Sequence, residues 1–414
     1  MTITRRNVLL GATAAAALAP IMARAETSEV AIGVIYPLSG ASAQMGVDAQ
    51  KGYETALEVI NKDFDFDLPL AKGEGLAGLG GAKIRLVYAD HQGDPQKGRA
   101  ETERLITQEK VCAMLGTYQS AVAVTVSQTC ERYQIPFVSA DNSSPSLHTR
   151  GLKFFFRAAP HDEMFSKGMF DFFDAMKKKG AKIETLALFH EDTIFGTDSA
   201  NAQTKLANER GYKIVADLKY RANSPSLSAE VQQLKSANAD VLMPSSYTTD
   251  GILLVKTMAE LGYKPKAIVA QAAGFSEKAL YDAVGDKLEG AITRGSFSLD
   301  LAAKRPMVGK INDLFKAKSG KDLNDNTSRE FMALVVLADA INRAKSTEGE
   351  KIRAALAATE IPGEQTIMPW KRVKFDDMGQ NNDADPVLLQ YAGGKFVTIS
   401  PEQAAVAEAI WPMK

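Results

Sequence analysis

Between Val30 and Ile399 the chain alternates short apolar, β-branched runs with amphipathic segments, and this alternation limits what it can fold into more than any other feature. Strands that alternate with helices of this length build parallel sheets with helices on their faces, an α/β architecture. The first strand is expected at Val30 to Pro37 and the first helix at Met45 to Asn61. The second strand is placed at Lys83 to Ala89, and Asp94-Pro95 opens the next helix with proline in its first turn. Two further strands follow at Val111–Gly116 and Ile135–Ala140. Phe64 to Gly81 reads as a loop.

A second series repeats the logic. Strands are expected at Glu184–His190, Tyr212–Tyr220, Ala239–Ser245 and Ala267–Gln271. Helices are expected at Gly196–Arg210, Ser226–Ala237 and Gly251–Gly262. About 389 residues remain once the first 25 are set aside, more than one core usually supports, so two domains are expected.

The first 25 residues read as a targeting signal. Arg5-Arg6 sits in a twin-arginine context, Gly11–Ile21 is an apolar stretch too short to span a bilayer, and Ala23-Arg24-Ala25 is a small-x-small cleavage site. Mature protein is therefore expected in the periplasm. Without Arg5, Arg6 and Arg24 the 49 basic residues become 46 against 50 acidic, a net charge of −4, which argues against nucleic acid as a partner. Cys112 and Cys130 are expected as two free buried thiols. With no histidine nearby they make no metal site.

The two strand ends at Gly116 and Ala140 carry the polar chemistry. Gly116-Thr-Tyr-Gln-Ser120 leads into an apolar-periodic helix to Tyr133, with Ser120 read as its N-cap. Asp141-Asn-Ser-Ser-Pro145 follows the next strand. In an open parallel sheet ligands sit beyond the carboxyl ends of the strands, and hydroxyls with free N–H groups at a helix start suit a carboxylate. Gly78-Leu-Gly-Gly81 follows no strand and opens no helix, so it is not a dinucleotide site. Nucleophile-elbow and phosphate-loop patterns are lacking, and no cofactor is implied.

Four pieces, Val34-Ile-Tyr-Pro-Leu-Ser-Gly-Ala41, Leu115-Gly-Thr-Tyr-Gln-Ser120, Val138-Ser-Ala-Asp-Asn-Ser-Ser-Pro145 and Phe195-Gly196, occur in an order and spacing that resembles the periplasmic solute-binding proteins of the branched-chain amino acid type, receptors of ABC importers. The resemblance implies the type I fold: two Rossmann-like lobes, each a parallel sheet flanked by helices, joined by a multi-crossing hinge. It places lobe one at 26–158 plus 296–365 and lobe two at 159–295 plus 366–414. A last crossing near Thr366 would return Val373–Phe375 and Val387–Ile399 to lobe two. It also implies a small-molecule ligand, an inner-membrane ABC permease as partner and a monomeric receptor.

Residue by residue, the resemblance puts Ser120 on the ligand carboxylate and Asp141, Asn142 and Ser143 on the facing strand tip. Phe195 and Tyr247 fall on aromatic binding positions, and Met45 falls on the loop lining the side-chain pocket. Tyr118 and Gly274 complete the expected set. One departure stands out. The amino acid receptors carry an acidic residue for the ligand ammonium just before a glycine, where this chain has Ala273 before Gly274. A zwitterion would bury its ammonium poorly paired. The ligand is thus an amino acid, or a carboxylate or amide lacking the amine. Two alternatives fit the same residues: an exported α/β enzyme using His190, Asp192 and Ser120, or a ligand-sensing domain reporting to a separate receptor.

Overall fold

The computed structural model describes residues 29–413. The leader expected at residues 1–25 lies outside the described residues.

Five parallel strands form the first sheet: β1 (Glu29–Tyr36), β2 (Lys83–Asp90), β3 (Ala113–Gly116), β4 (Phe137–Ser139) and β5 (Phe155–Arg157), in the order β2-β1-β3-β4-β5. Their connections carry α1 (Ala43–Asn61), α2 (Pro95–Thr107) and α3 (Ser120–Tyr133). β3 and β4 are buried throughout, which is why they read as unbroken apolar runs. Gly116 closes β3 at φ +132°, and a Cβ there would lie 2.3 Å from the Ile35 carbonyl oxygen, so only glycine lets β3 end beside β1.

After α4 (Asp162–Lys178) the pattern begins again. β6 (Thr185–Glu191), α5 (Ile194–Arg210), β7 (Lys213–Tyr220), α6 (Ser228–Ala237), β8 (Val241–Ser245), α7 (Thr248–Glu260), β9 (Val269–Ala270), α8 (Lys278–Val284) and β10 (Ile292–Gly295) follow in turn. β7-β6-β8 pair in parallel, a bridge from Leu242 to Ile268 joins β8 to the start of β9, and β9 pairs with β10. The second sheet thus repeats the order of the first, with β6 between β7 and β8 as β1 lies between β2 and β3. In such sheets the strand order reverses at the crevice where ligands bind.

The chain then crosses back. α9 (Pro306–Ser319) and α10 (Asp325–Ala344) pack on α1, and α11 (Gly349–Ala357) packs on α10. Sixteen of the 20 residues of α10 are buried, so this helix is a core element rather than a surface cover. Its start is fixed by a capping box: Asn324 Oδ1 accepts from the Thr327 amide at 2.9 Å, and Thr327 Oγ1 accepts from the Asn324 amide at 2.9 Å. That cap, worth about 1 kcal/mol, holds Asp325, Asn326 and Arg329 in one orientation.

The last segment differs from expectation. β11 (Glu360–Pro362) and β12 (Arg372–Lys374) form a separate antiparallel ribbon, and Val373 and Phe375 belong to the first core, Phe375 lying edge-on to Phe156 at 5.2 Å. Val373–Phe375 therefore does not return to the second sheet. The return is made by β13 (Val387–Ala392) and β14 (Lys395–Ser400), an antiparallel hairpin on β10 that turns at Gly393-Gly394. The Phe64–Gly81 segment is only partly loop-like: Phe66 and Leu68 are buried, and Phe64 stacks on Phe66 at 5.2 Å.

Cys112, one residue before β3, and Cys130 on α3 are both free and buried, and burial pushes the Cys112 thiol up to about 12. Among the described residues no helix is long and apolar enough to cross a membrane.

Candidate ligand-binding cleft

The carboxyl ends of the two sheets face each other across a tight cleft whose cavity volume is about 20 Å³. From the first sheet come Tyr118 and Ser120, after β3, and Asp141 and Ser143, after β4. From the second come Phe195 at the start of α5, Tyr247 before α7, Ala273 after β9 and Arg294 on β10. Asn326 and Arg329 enter from α10.

Six of the nine residues expected from sequence thus lie together in the wall: Tyr118, Ser120, Asp141, Ser143, Phe195 and Tyr247. The other three do not. Asn142 is turned inward as a brace: its Oδ1 accepts from the Thr117 amide at 3.1 Å and from Ser139 Oγ at 2.9 Å, and its Nδ2 donates to the Tyr118 carbonyl at 3.0 Å. It fixes the turns that present Tyr118 and Asp141. Met45 packs into the first core with Ala49 and Tyr53, because the apolar stripe of α1 faces the sheet. Gly274 lies behind Tyr247, where a Cβ would come within 2.5 Å of the Thr248 backbone. It permits that approach and contributes no wall of its own.

Ser120 also differs in its local role. Gln119 occupies the N-cap position, extended at φ −79° and ψ 131°, and no side chain caps the helix. Ser120 is the first helical residue. The aromatic wall is continuous: the Tyr247 ring is 5.3 Å from Tyr118 and 5.2 Å from Phe195. Ala272 and Ala273 both have positive φ, 52° and 45°, a conformation costly for non-glycine residues that concentrates at functional sites.

Beside this wall runs a buried charge network. Arg329 Nη1 lies 3.3 Å from Asp141 Oδ1 and its Nη2 lies 3.1 Å from Asp325 Oδ2. Burial works against the Arg329 charge, but Asp325 and Asp141 outweigh it and raise its pKa above the ordinary value. Asp141 Oδ2 accepts from the Tyr36 hydroxyl at 2.8 Å. Burial, with Asp141 beside it, pushes the Glu330 carboxyl well above its ordinary range. Arg294 stacks on Phe165, 3.8 Å from the ring centroid, with Asp325 at 3.6 Å. Burial lowers it to about 10, still charged at neutral pH. Across the cleft Asn326 Nδ2 donates to Glu277, whose carboxyl is raised to about 7 by burial and by Asp48.

The residues of the enzyme alternative are not assembled. His190 Nε2 faces Asp217 at 3.2 Å, and Asp192 accepts from the Ala222 amide at 3.0 Å. Glu191 accepts from the amide of Gly196 at 2.7 Å and from Thr193 Oγ1 at 2.7 Å, tying down the start of α5. Neither His190 nor Asp192 lines the cleft with Ser120. Among the described residues, no group of three His, Cys, Asp or Glu is placed to hold a metal.

The family model described as periplasmic binding protein matches residues 29–395. The chain belongs to the periplasmic binding protein family. As a periplasmic binding protein it is 31% identical over 396 residues to Leu/Ile/Val-binding protein homolog 7 of Brucella suis biovar 1 (strain 1330), covering 93% of this chain and 95% of that one. Its fold matches a leucine binding protein of Thermotoga maritima MSB8, with a TM-score of 0.76, 22% identity, and 90% and 98% of the two chains covered. It also matches a solute binding protein of an ABC transporter from Rhodopseudomonas palustris BisB5 in complex with 3,4-dihydroxy benzoic acid, with a TM-score of 0.74, 16% identity, and 93% and 98% covered. These likenesses show the type I fold, two α/β halves with a cleft between.

Sequence reasoning missed Arg294, Asn326 and Arg329 in this periplasmic binding protein. Arg294 had a readable signal, a charge inside the otherwise apolar Ala291-Ile-Thr-Arg-Gly295 strand. Arg329 had none, since Asp325 and Arg329 four residues apart look like an ordinary surface pair on a helix.

Proposed function

We propose that this chain is the extracytoplasmic receptor of an ABC importer, closing two lobes on a small carboxylate-bearing solute and delivering it to an inner-membrane permease. The observation that carries the reading is the convergence of Ser120, Ser143 and the Tyr118–Tyr247–Phe195 wall from opposite sheets onto one cleft. A ligand held by both halves stabilises the closed state by the free energy of the contacts it makes only there. Relatives named for leucine, isoleucine and valine support an acid end bound at Ser120. The absence of a carboxylate at Ala273 favours ligands without an ammonium, as does the dihydroxybenzoic acid bound in a protein of the same fold. The lobe limits 26–158 plus 296–365 and 159–295 plus 366–414 belong to the same reading, amended so that the Val373–Phe375 strand, packed in the first core, goes with lobe one; cleavage after Ala25 and a monomer in the periplasm belong to it too.

Small-angle scattering of the mature protein tests it. A thermal-shift screen of carboxylates, amino acids and amides first identifies a binder, which raises the melting temperature by mass action. Saturation with that binder is expected to reduce the radius of gyration. An unchanged radius with binding established would refute closure.

A further inference from the structure

Arg294 is the least satisfied charge in the cleft. It is 2% exposed, yet its Nε and Nη1 have no hydrogen-bond partner. Asp325, its nearest acid, is already taken: Oδ1 accepts from Ser296 Oγ at 2.8 Å and Oδ2 pairs with Arg329 at 3.1 Å, leaving Arg294 Nη1 at 3.6 Å, beyond hydrogen-bond reach. Phe165 beneath the guanidinium fixes its plane. A buried guanidinium with unpartnered donors at Nε and Nη1 is costly unless an anionic acceptor meets one of its edges, and a carboxylate does so. Arg294 shares the cleft wall with Ala273, the position at which the resemblance to amino acid receptors implies an acid for a ligand ammonium. In place of an acid, this part of the wall presents the Arg294 cation, with Asp325, Asp162 and Asp141 behind it. Asp141 offsets it only in part: Tyr36 donates to its Oδ2 at 2.8 Å, and Arg329 Nη1 lies 3.3 Å from its Oδ1 as an ion pair.

We infer that the solute carries two acidic groups: one carboxylate at Ser120 and Ser143, and a second anionic group seated on the Arg294 fork. This rests on the receptor function proposed above and names its substrate class, a small diacid without an ammonium between its ends. The spacer is aliphatic, or aromatic against the Tyr118–Tyr247–Phe195 wall.

Calorimetric titration of the mature protein tests this with matched probes. Succinate, glutarate and adipate are each compared with the monoacid of the same length, terephthalate with benzoate, and glutarate with glutamate. The best diacid is expected to bind at least tenfold tighter than its monoacid, and glutarate tighter than glutamate. Arg294→Gln removes the charge and is expected to weaken the diacid at least tenfold more than it weakens the monoacid of the same length. This split needs no assumption about folding, because the monoacid reports an intact cleft. A preference for terephthalate assigns the aromatic spacer, and a preference for an aliphatic diacid assigns the other; both support the inference. Monoacids or leucine binding as tightly as every diacid overturns the Arg294 assignment while leaving the receptor reading intact. Binding of none of these probes overturns the diacid inference, and compaction by any other solute then still sustains the receptor.

Discussion

Glu277 offers the sharpest test of the buried network, because replacing it with glutamine changes a charge and little else. Its carboxyl moves from an ordinary 4.5 to about 7, chiefly through burial and then through Asp48. A raised acid contributes stability that is complete below the unfolded value and lost as pH rises through the folded one. The window is therefore about pH 4.5 to 7. The full span corresponds to about 3.4 kcal/mol, of which about 2.5 kcal/mol falls between pH 5 and pH 8. Glu277→Gln keeps an oxygen for Asn326 Nδ2 and removes the titration. Urea denaturation of both proteins at pH 5, 6, 7 and 8 gives the comparison. The glutamine variant should gain about 2.5 kcal/mol on the parent between pH 5 and pH 8. Titrating groups away from Glu277 are common to both proteins and cancel, while Glu330, whose carboxyl Glu277 helps to raise, is expected to shift down in the variant. Equal pH dependence in the two proteins would falsify the buried, ionisable Glu277. Glu277 follows β9 in one half and Asn326 belongs to α10 in the other, so ligand affinity of the parent should weaken over the same pH range and that of the variant should not.

Two further outcomes test the cleft. Ser120→Ala is expected to weaken binding of a carboxylate ligand tenfold or more, with less than about 1 kcal/mol lost in chemical denaturation, because Ser120 is not the capping residue; lost stability with retained affinity would mean a purely structural serine. Gly274→Ala puts a Cβ 2.5 Å from the Thr248 backbone, so Tyr247 is expected to shift, with stability falling by about 1–3 kcal/mol and affinity falling with it; unchanged binding would show that the Tyr247 position does not matter.

The fold was legible where chemistry is local. Apolar runs closed by glycine or polar clusters marked β1 to β4 and β6 to β9, and the amphipathic stripe marked α1. The site was legible where strand ends carried polar residues, as at Ser120 and Asp141. What escaped depended on tertiary placement. Val373 and Phe375 read like any short strand, and only packing against Phe156 shows which core they join. The buried state of Asp325 and Arg329 comes from α10 being wrapped on all sides, which periodicity along one helix does not reveal. Asn142 reads as a donor for a ligand, but the backbone of Thr117 and Tyr118 claims it first. Ser120 missed the N-cap position by one residue, the ordinary uncertainty of a helix end.

Arg157, at the end of β5, donates through Nη1 to the carbonyls of Asn142 at 2.8 Å and Ser144 at 2.9 Å, and through Nε to Gln380 Oε1 at 2.7 Å. One guanidinium thus ties the loop holding Asp141 and Ser143 to the segment running back between the halves. Under the proposed closure, an arriving solute would first meet the surface braced by Arg157 on the first half, and Phe195, Tyr247 and Arg294 would engage it as the halves close. Association should then depend on the loop braced by Arg157, and residence time on the residues that swing in. Substitutions on the two sides of the cleft would change the same equilibrium constant through different rate constants, those on the moving side acting mainly on dissociation.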